Sequence, residues 1–330
     1  MAVQRFAFTA NNSTYAAFGD AMNCWKFFPK PDAAWGSIPV WGFADVLESA
    51  CGGVAAGGRF YGCYPKTSLT VLLPTRMTAH GFKTLHRAEL HPAYHHYAAS
   101  RSDPLHSVNT EDIPALLRPL FVTSFLIDDF LADNDFFGAS TLLLSSASSK
   151  TAYGTAFRLA KRRGVETVGL ISKANVNFCE SLVCYHRVLT YEQLDQIASN
   201  TPCTYIDFAG NSSLRMRIHS QFTNLKYSCS VGGTHVDQLG AKGAGKDVPG
   251  VRATLFFAPA QIKKRSVDWG ASGLRDRLGA AWQAFTAQVM QPSAPWLVVN
   301  EHKGSGSLDA VYQEVLRGNS DPRGGHILGF

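Results

Sequence analysis

The sequence predicts an α/β protein of two parts, a β-rich part followed by a doubly wound parallel sheet. Three observations lead there. Between 141 and 231, short apolar runs alternate with runs of helix length, the pattern of parallel strands joined by crossover helices. One unit, 142–163, reads as an apolar strand, a serine-rich turn and an amphipathic helix. Residues 1–110, by contrast, are rich in aromatics, Gly and Pro and carry only short β-type runs such as 70–73.

From residue 110 the elements follow in order. Residues 113–131 form one or two helices interrupted by Pro114 and Pro119. A strand at 141–145 leads to a helix at 151–163, closed by Gly164 as a C-cap. Strands at 167–171, 187–189, 204–208 and 227–231 alternate with helices near 177–184, 191–199 and 212–221. A glycine-rich loop is expected at 242–250 and extended chain at 255–258. A helix at 273–288, a strand at 296–300 and a helix at 308–316 precede a tail without a strong pattern.

Composition narrows the class. Of 330 residues, 45% are hydrophobic and 17% charged, enough to bury a core and unlike a disordered chain. No run of 18 apolar residues occurs, so no membrane-spanning helix is expected. The first dozen residues lack the basic and apolar regions of a secretory signal. The net charge of +6 sits partly in two short groups, Lys161–Arg162–Arg163 and Lys263–Lys264–Arg265. Without a longer basic stripe, nucleic acid is not an expected partner. The groups are either surface charge or an attraction for an anionic ligand. Seven cysteines, an odd number with no C-x-x-C pair, fit reduced thiols in a cytoplasmic protein better than disulfides or a zinc knot.

The serine-rich turn is the strongest chemical signal. In a doubly wound sheet the first strand ends at a helix N-terminus, whose free N–H groups and dipole hold a pyrophosphate. Here Ser146, Ser149 and Ala152 stand where a glycine-rich turn would place its glycines. Small residues permit close approach but lack glycine's freedom at positive φ. Ser148, Ser149 and Thr151 add hydroxyls and Lys150 a positive charge, so the turn is either a phosphate cradle or a serine-rich cap without a ligand. At the tip of the second strand stand Ser172, Lys173 and Asn175, with no acid. An acid there would bind the ribose of NAD, whereas Ser172 and Lys173 suit a 2′-phosphate; the expected cofactor is therefore NADP(H). The competing reading is an ordinary polar loop.

These pieces, in this order, resemble the medium-chain dehydrogenase/reductase superfamily, its zinc-free quinone- and enoyl-reductase-like branch, and within it the DUF2855 family. The resemblance rests on Ala10-Asn-Asn-Ser-Thr-Tyr15 with Gly19, Pro39-Val-Trp-Gly42 and Gly57-Gly-Arg-Phe-Tyr-Gly62. It continues through Ser145–Ala152, Val188-Leu-Thr-Tyr191 and Tyr205-Ile-Asp-Phe-Ala-Gly210. It implies a GroES-like substrate domain over 1–114, a Rossmann nucleotide domain inserted over 115–250, and a return to the first domain over 251–330. It further implies an active site in the cleft between the domains, a homodimer joined through the nucleotide domains, and reduction of an activated C=C bond or a quinone-like molecule. Asn12 and Tyr15 match positions near the nicotinamide and substrate. Tyr15 there either supplies a proton to the developing enolate or is a core aromatic.

Three departures stand out. Gly42-Phe-Ala-Asp45 replaces the G-H-E of zinc-dependent relatives, so no metal is expected. The chain starts almost at the Asn–Tyr motif, so its first sheet is either trimmed or completed otherwise. The altered turn also admits a second function, a repurposed scaffold acting as a lyase, isomerase, cyclase or small-molecule binder.

Ala209, Gly210 and Gly232 follow strands at the carboxyl edge and are candidate cofactor contacts, with His235 a candidate catalytic residue beyond Gly232. Asp207 reads as structural or as a cofactor contact rather than a base. His80, His86, His91, His95, His96 and His106 cluster, but Pro92 separates His91 from His95 and no further ligand completes a metal set. Phe256 and Phe257 beside Lys263–Arg265 form either a pocket wall or core. No G-x-S-x-G elbow supports hydrolysis. The aromatic first part suggests an apolar or polyketide-like substrate.

Overall fold

In the computed structural model, residues 1–17, 19–20, 23–32, 34–90, 92–232, 248–318 and 321–330 are described. The chain divides into two compact units, Met1–Pro119 with Leu297–Phe330, and Leu120–Trp296. In chain order the elements begin with β1 (Ala2–Phe8), α1 (Ala10–Ala17), β2 (Val40–Asp45), β3 (Arg59–Tyr64), β4 (Pro74–Thr78), β5 (Gly81–Thr84), β6 (His96–Ala99) and α2 (Asp112–Asp133). The second unit continues with β7 (Thr141–Leu144), α3 (Lys150–Leu159), β8 (Glu166–Ile171), α4 (Val176–Ser181), β9 (Arg187–Thr190), β10 (Cys203–Asp207), α5 (Ser212–Gln221), β11 (Leu225–Ser230), β12 (Ala253–Leu255), α6 (Ala258–Asp268) and α7 (Gly270–Val289). The chain ends with β13 (Val298–Lys303), α8 (Ser305–Arg317) and β14 (Gly324–Gly329).

The first unit is built on one sheet ordered β13-β14-β1-β2-β3-β6-β5-β4. Every pairing is antiparallel except β13 with β14. Phe6, Phe8, Val40, Tyr64, Phe82 and Tyr97 form its core with Val311 of α8. The sheet is completed from the far end of the chain. β14, which the tail sequence did not announce, pairs with β1 at Phe6–Leu328 and with β13 at Asn300–His326. The run 70–73 is not a strand: β4 starts at Pro74 and Val71 is 85% exposed. The run pairs only at its ends, Thr70 with Met1 and Leu73 O with Leu85 N–H, and of its apolar side chains only Leu72 packs on the core, so no continuous ladder forms.

The second unit carries an all-parallel sheet ordered β12-β11-β10-β7-β8-β9. Its strand order reverses between β7 and β10, the mark of a doubly wound sheet and the place at which such sheets bind ligands. Leu143, Val168, Leu170, Tyr205 and Ile218 fill one core. The mixed α/β architecture expected from the sequence, a β-rich antiparallel part with a parallel Rossmann-type part, is the one observed.

Several local expectations change. Residues 112–133 are a single helix: Pro114 lies in its first turn, and Pro119, inside it, marks the division between units. A proline there removes one backbone hydrogen bond, yet Phe121 stacks on Phe285 at 4.4 Å and holds the next turns. Helix α3 stops at Leu159, short of Gly164, because Lys161 and Arg162 N–H groups reach carbonyls only three residues back. The expected helix at 191–199 is a short 3-10 turn, Tyr191–Gln196, with a capping box from Thr190 and Gln193. Residues 251–296 do not return to the first unit. β12 extends the parallel sheet and α7 brings Phe285 onto Phe121, so this segment buries its apolar side chains within the second unit. Among the described residues no helix is long and apolar enough to cross a membrane.

Candidate functional site

The serine turn follows β7 at the carboxyl edge of the parallel sheet. Ser146 has φ +52°, the left-handed region a glycine would enter freely. The turn therefore keeps a glycine-type course with a serine, and its neighbours hold it there. Ser146 N–H donates to the Tyr191 hydroxyl (3.2 Å) and Ala147 N–H to Leu170 O (3.1 Å). The Tyr185 hydroxyl donates to Ala147 O at 2.7 Å. Gly169 on β8 makes room, since a Cβ there would lie 2.9 Å from Ala147 Cβ and 3.0 Å from the Tyr185 ring. The glycine that permits close approach thus sits on the neighbouring strand.

Ser149 caps α3, accepting from Ala152 N–H at 3.4 Å, while its own N–H donates to Ser146 O. Ser146, Ser148, Ser149, Lys150 and Thr151 are all half-buried. Among the described residues the N–H groups of Ser148 and Thr151 have no partner. Unsatisfied N–H groups at the positive end of a helix dipole favour an anion. This is the observation on which a pyrophosphate fits.

Beside the turn lies a buried polar hub. The Ser145 hydroxyl donates to Asp207 Oδ1 (3.0 Å) and accepts from the N–H groups of Phe208 and Ala209. Asp207, fully buried, also accepts from Ala209 and Gly210 N–H, and Arg215 clamps its second oxygen at 3.0 and 2.6 Å. Gly210 turns the chain at φ +71°. With its lone pairs committed, Asp207 shapes the β10 loop and has no capacity for proton abstraction.

Ser172 and Lys173 are exposed at the tip of β8, and half-buried Asn175 donates its N–H to Ser172 O. Gly232 follows β11, its N–H on Asp207 O at 3.4 Å. All the sequence-predicted cofactor residues thus follow carboxyl ends of parallel strands and share one edge of one sheet. Tyr191 joins them without having been singled out. Burial raises its phenol's pKa, opposed by the Ser146 N–H, so the hydroxyl stays protonated beside the turn. Its position directly after the third strand was the signal available. His235 lies outside the described residues.

Asn12 and Tyr15 belong to the first unit, on α1. Asn12 is 3% exposed and engaged at both ends of its amide: Oδ1 accepts from Thr9 N–H (2.7 Å), and Nδ2 donates to Pro39 O (2.8 Å). Tyr15 is 5% exposed, its oxygen accepting from Trp41 Nε1 at 3.0 Å, with Phe27 and Tyr94 around its ring. Burial pushes its phenol well above 10. Of its two open readings, this surrounding is that of a packed aromatic. The Asp45 that follows Phe43 and Ala44 is held by Arg59 Nη1 at 2.7 and 2.9 Å. Among the described residues no three His, Cys, Asp or Glu side chains group as metal ligands, and His91 lies outside them.

Solved structures share this fold across nearly the whole chain. The yhdH oxidoreductase from Salmonella enterica, in complex with NADP, is 14% identical with a TM-score of 0.53, covering 99% of this chain and 90% of its own. CurA from Vibrio vulnificus, in complex with NADPH, is 10% identical with a TM-score of 0.58 (100% and 89%). The quinone oxidoreductase from Coxiella burnetii is 12% identical with a TM-score of 0.52 (99% and 89%). At such identities the likeness establishes a shared fold and nothing of the activity. No curated protein matches the sequence. The chain belongs to the family described as "Protein of unknown function (DUF2855)", whose profile matches residues 6–321.

Proposed function

We propose that the protein is a zinc-independent, NADPH-dependent oxidoreductase that reduces an activated C=C bond or a quinone-like small molecule. The observation that carries this reading is the serine turn capping α3 at the strand-order reversal, where the Ser148 and Thr151 N–H groups have no partner among the described residues. The NADP and NADPH complexes of the yhdH oxidoreductase and CurA support it. The Ser146–Thr151 turn, with Lys150, would hold the pyrophosphate, and Ser172, Lys173 and Asn175 the 2′-phosphate. Ala209, Gly210 and Gly232 would border the rest of the dinucleotide. The nicotinamide, when bound, supplies the hydride. The chain's own part is to orient the ligand and exclude water. The aromatic first unit fits an apolar or polyketide-like substrate, and seven free cysteines fit a reducing, cytoplasmic setting.

Fluorescence titration tests the cofactor. NADPH should bind, and Lys173→Glu should weaken it at least tenfold while affecting NADH little. A calorimetric titration with no heat from NADPH or NADP⁺ overturns the reading.

One observation favours a second reading, a lyase, isomerase, cyclase or binding protein on the same fold. Asn12 is tied to Thr9 and Pro39, and Tyr15 is 5% exposed with its oxygen accepting from Trp41, so both side chains are packed into their unit. NADPH that binds but is not consumed with any of a panel of enones and quinones would support it; substrate-dependent oxidation would exclude it.

A further inference from the structure

A groove of about 710 Å³ lies in the second unit among α2, α3, α6 and α7. It is not part of the serine turn, because Arg158 stands nine residues beyond the Ser149 cap, roughly 14 Å along the helix. Arg277, Ala280, Ala281 and Ala284 follow helical spacing on α7 and line one wall, with Phe125 and Ala132 of α2 among the opposing residues. Methyl side chains leave between these helices a volume that larger residues would fill.

The charges lining it do not cancel. Asp128 is held by both Arg158 and Arg162, with Arg162 at 2.8 and 3.0 Å. Asp129 accepts from Gln261 and Arg265, and Asp133 pairs with Lys264 and Arg265. The three lining carboxylates are therefore already partnered, against five lining cations, Arg158, Lys161, Arg162, Arg265 and Arg277. Lys161 and Arg277 have no carboxylate partner among the described residues. Each lies against an aromatic ring, Lys161 Nζ 4.7 Å from Phe157 and the Arg277 guanidinium 4.8 Å from Trp269. Arg265 stands 4.6 Å from the same indole.

We propose that this groove is a second ligand site, taking a doubly charged phosphate ester with an aromatic or apolar body. The surplus of two positive charges matches a phosphate dianion, and arginine and lysine are the side chains suited to it. Trp269, Phe125 and the alanines offer the surface for the body, and the volume is that of a small-molecule site. The proposal stands independently of nicotinamide binding.

Calorimetry on the full chain in low salt, with 1-naphthyl phosphate and inorganic phosphate as probes, tests it. Naphthyl phosphate should bind once per chain, at least fivefold tighter than phosphate, and weaken as salt rises. Lys161→Gln with Arg277→Gln, both exposed positions, should weaken it at least tenfold. Ala284→Trp, which fills the groove from an exposed position, should do the same at unchanged melting temperature, while Lys150→Gln leaves binding within twofold. Failure of 1-naphthyl phosphate to bind, or undiminished binding in the double variant or in Ala284→Trp, overturns the site. Equal affinity for the two probes overturns the aromatic body.

Discussion

Ser146 shows what a glycine-poor turn requires. A non-glycine residue at φ +52° carries a steric penalty of about 1–2 kcal/mol, compensated here by the Tyr191 and Tyr185 hydrogen bonds around the turn. Ser146→Gly removes the penalty but adds freedom to the unfolded chain, so stability should rise by about 0.5 kcal/mol. Ser146→Val, branched at Cβ, should lose about 1–2 kcal/mol. Urea denaturation of the two variants measures both. The sequence located this turn; its left-handed residue and the Tyr191 contact depend on atoms 45 positions away, which no local pattern encodes.

The approach of α3 to α2 depends on Gly154. A Cβ there would stand 2.8 Å from Ser124 Oγ and 3.3 Å from Ser124 Cβ. Ser124 Oγ is itself committed, donating to Thr151 O at 2.8 Å. Gly154→Leu must push the helices apart and should cost about 1–3 kcal/mol, read as a lower melting temperature. In the first unit, strand β6 carries a pH dependence. Burial, then the nearby Arg118 and Lys83, lower His96 to about 4. The folded state thus resists a proton that the unfolded chain accepts near 6.5. Stability contributed by neutral His96 is full above that value and is lost as pH falls from about 6.5 towards 4. His96→Gln should flatten that part of the pH–stability curve, as chemical denaturation between pH 7 and 4 would show. In the second unit most helices and strands were legible from apolar spacing, α6 excepted, while β1–β6 and α1 of the first unit were not. Nor were helix ends and β14, because partners distant in sequence determine them.

For the whole molecule, the exposed edge of the parallel sheet bears on assembly. Among the described residues β12 is the outermost strand, with Leu255 70% exposed. A strand edge with no further neighbour among the described residues, beside an exposed leucine, invites a second copy, the assembly through the second unit that the resemblance implies. Light scattering should find a dimer, and Leu255→Lys should shift it to monomer while NADPH affinity stays within about threefold. A monomeric wild-type protein would exclude this assembly.

By itself the sequence determined the class of fold, the serine turn and the carboxyl-edge residues, because these follow from short-range periodicity and from turn chemistry local to the chain. Tertiary structure alone decided that 251–296 belongs with the parallel sheet, that β14 completes the first sheet, and that Asn12 and Tyr15 lie engaged within a packed unit. It also decided that Asp207 binds Ser145 and Arg215 together. The physical reason is the same in each case: burial and hydrogen-bond saturation depend on which distant segments meet, and that pairing is a property of the folded chain rather than of any stretch of it.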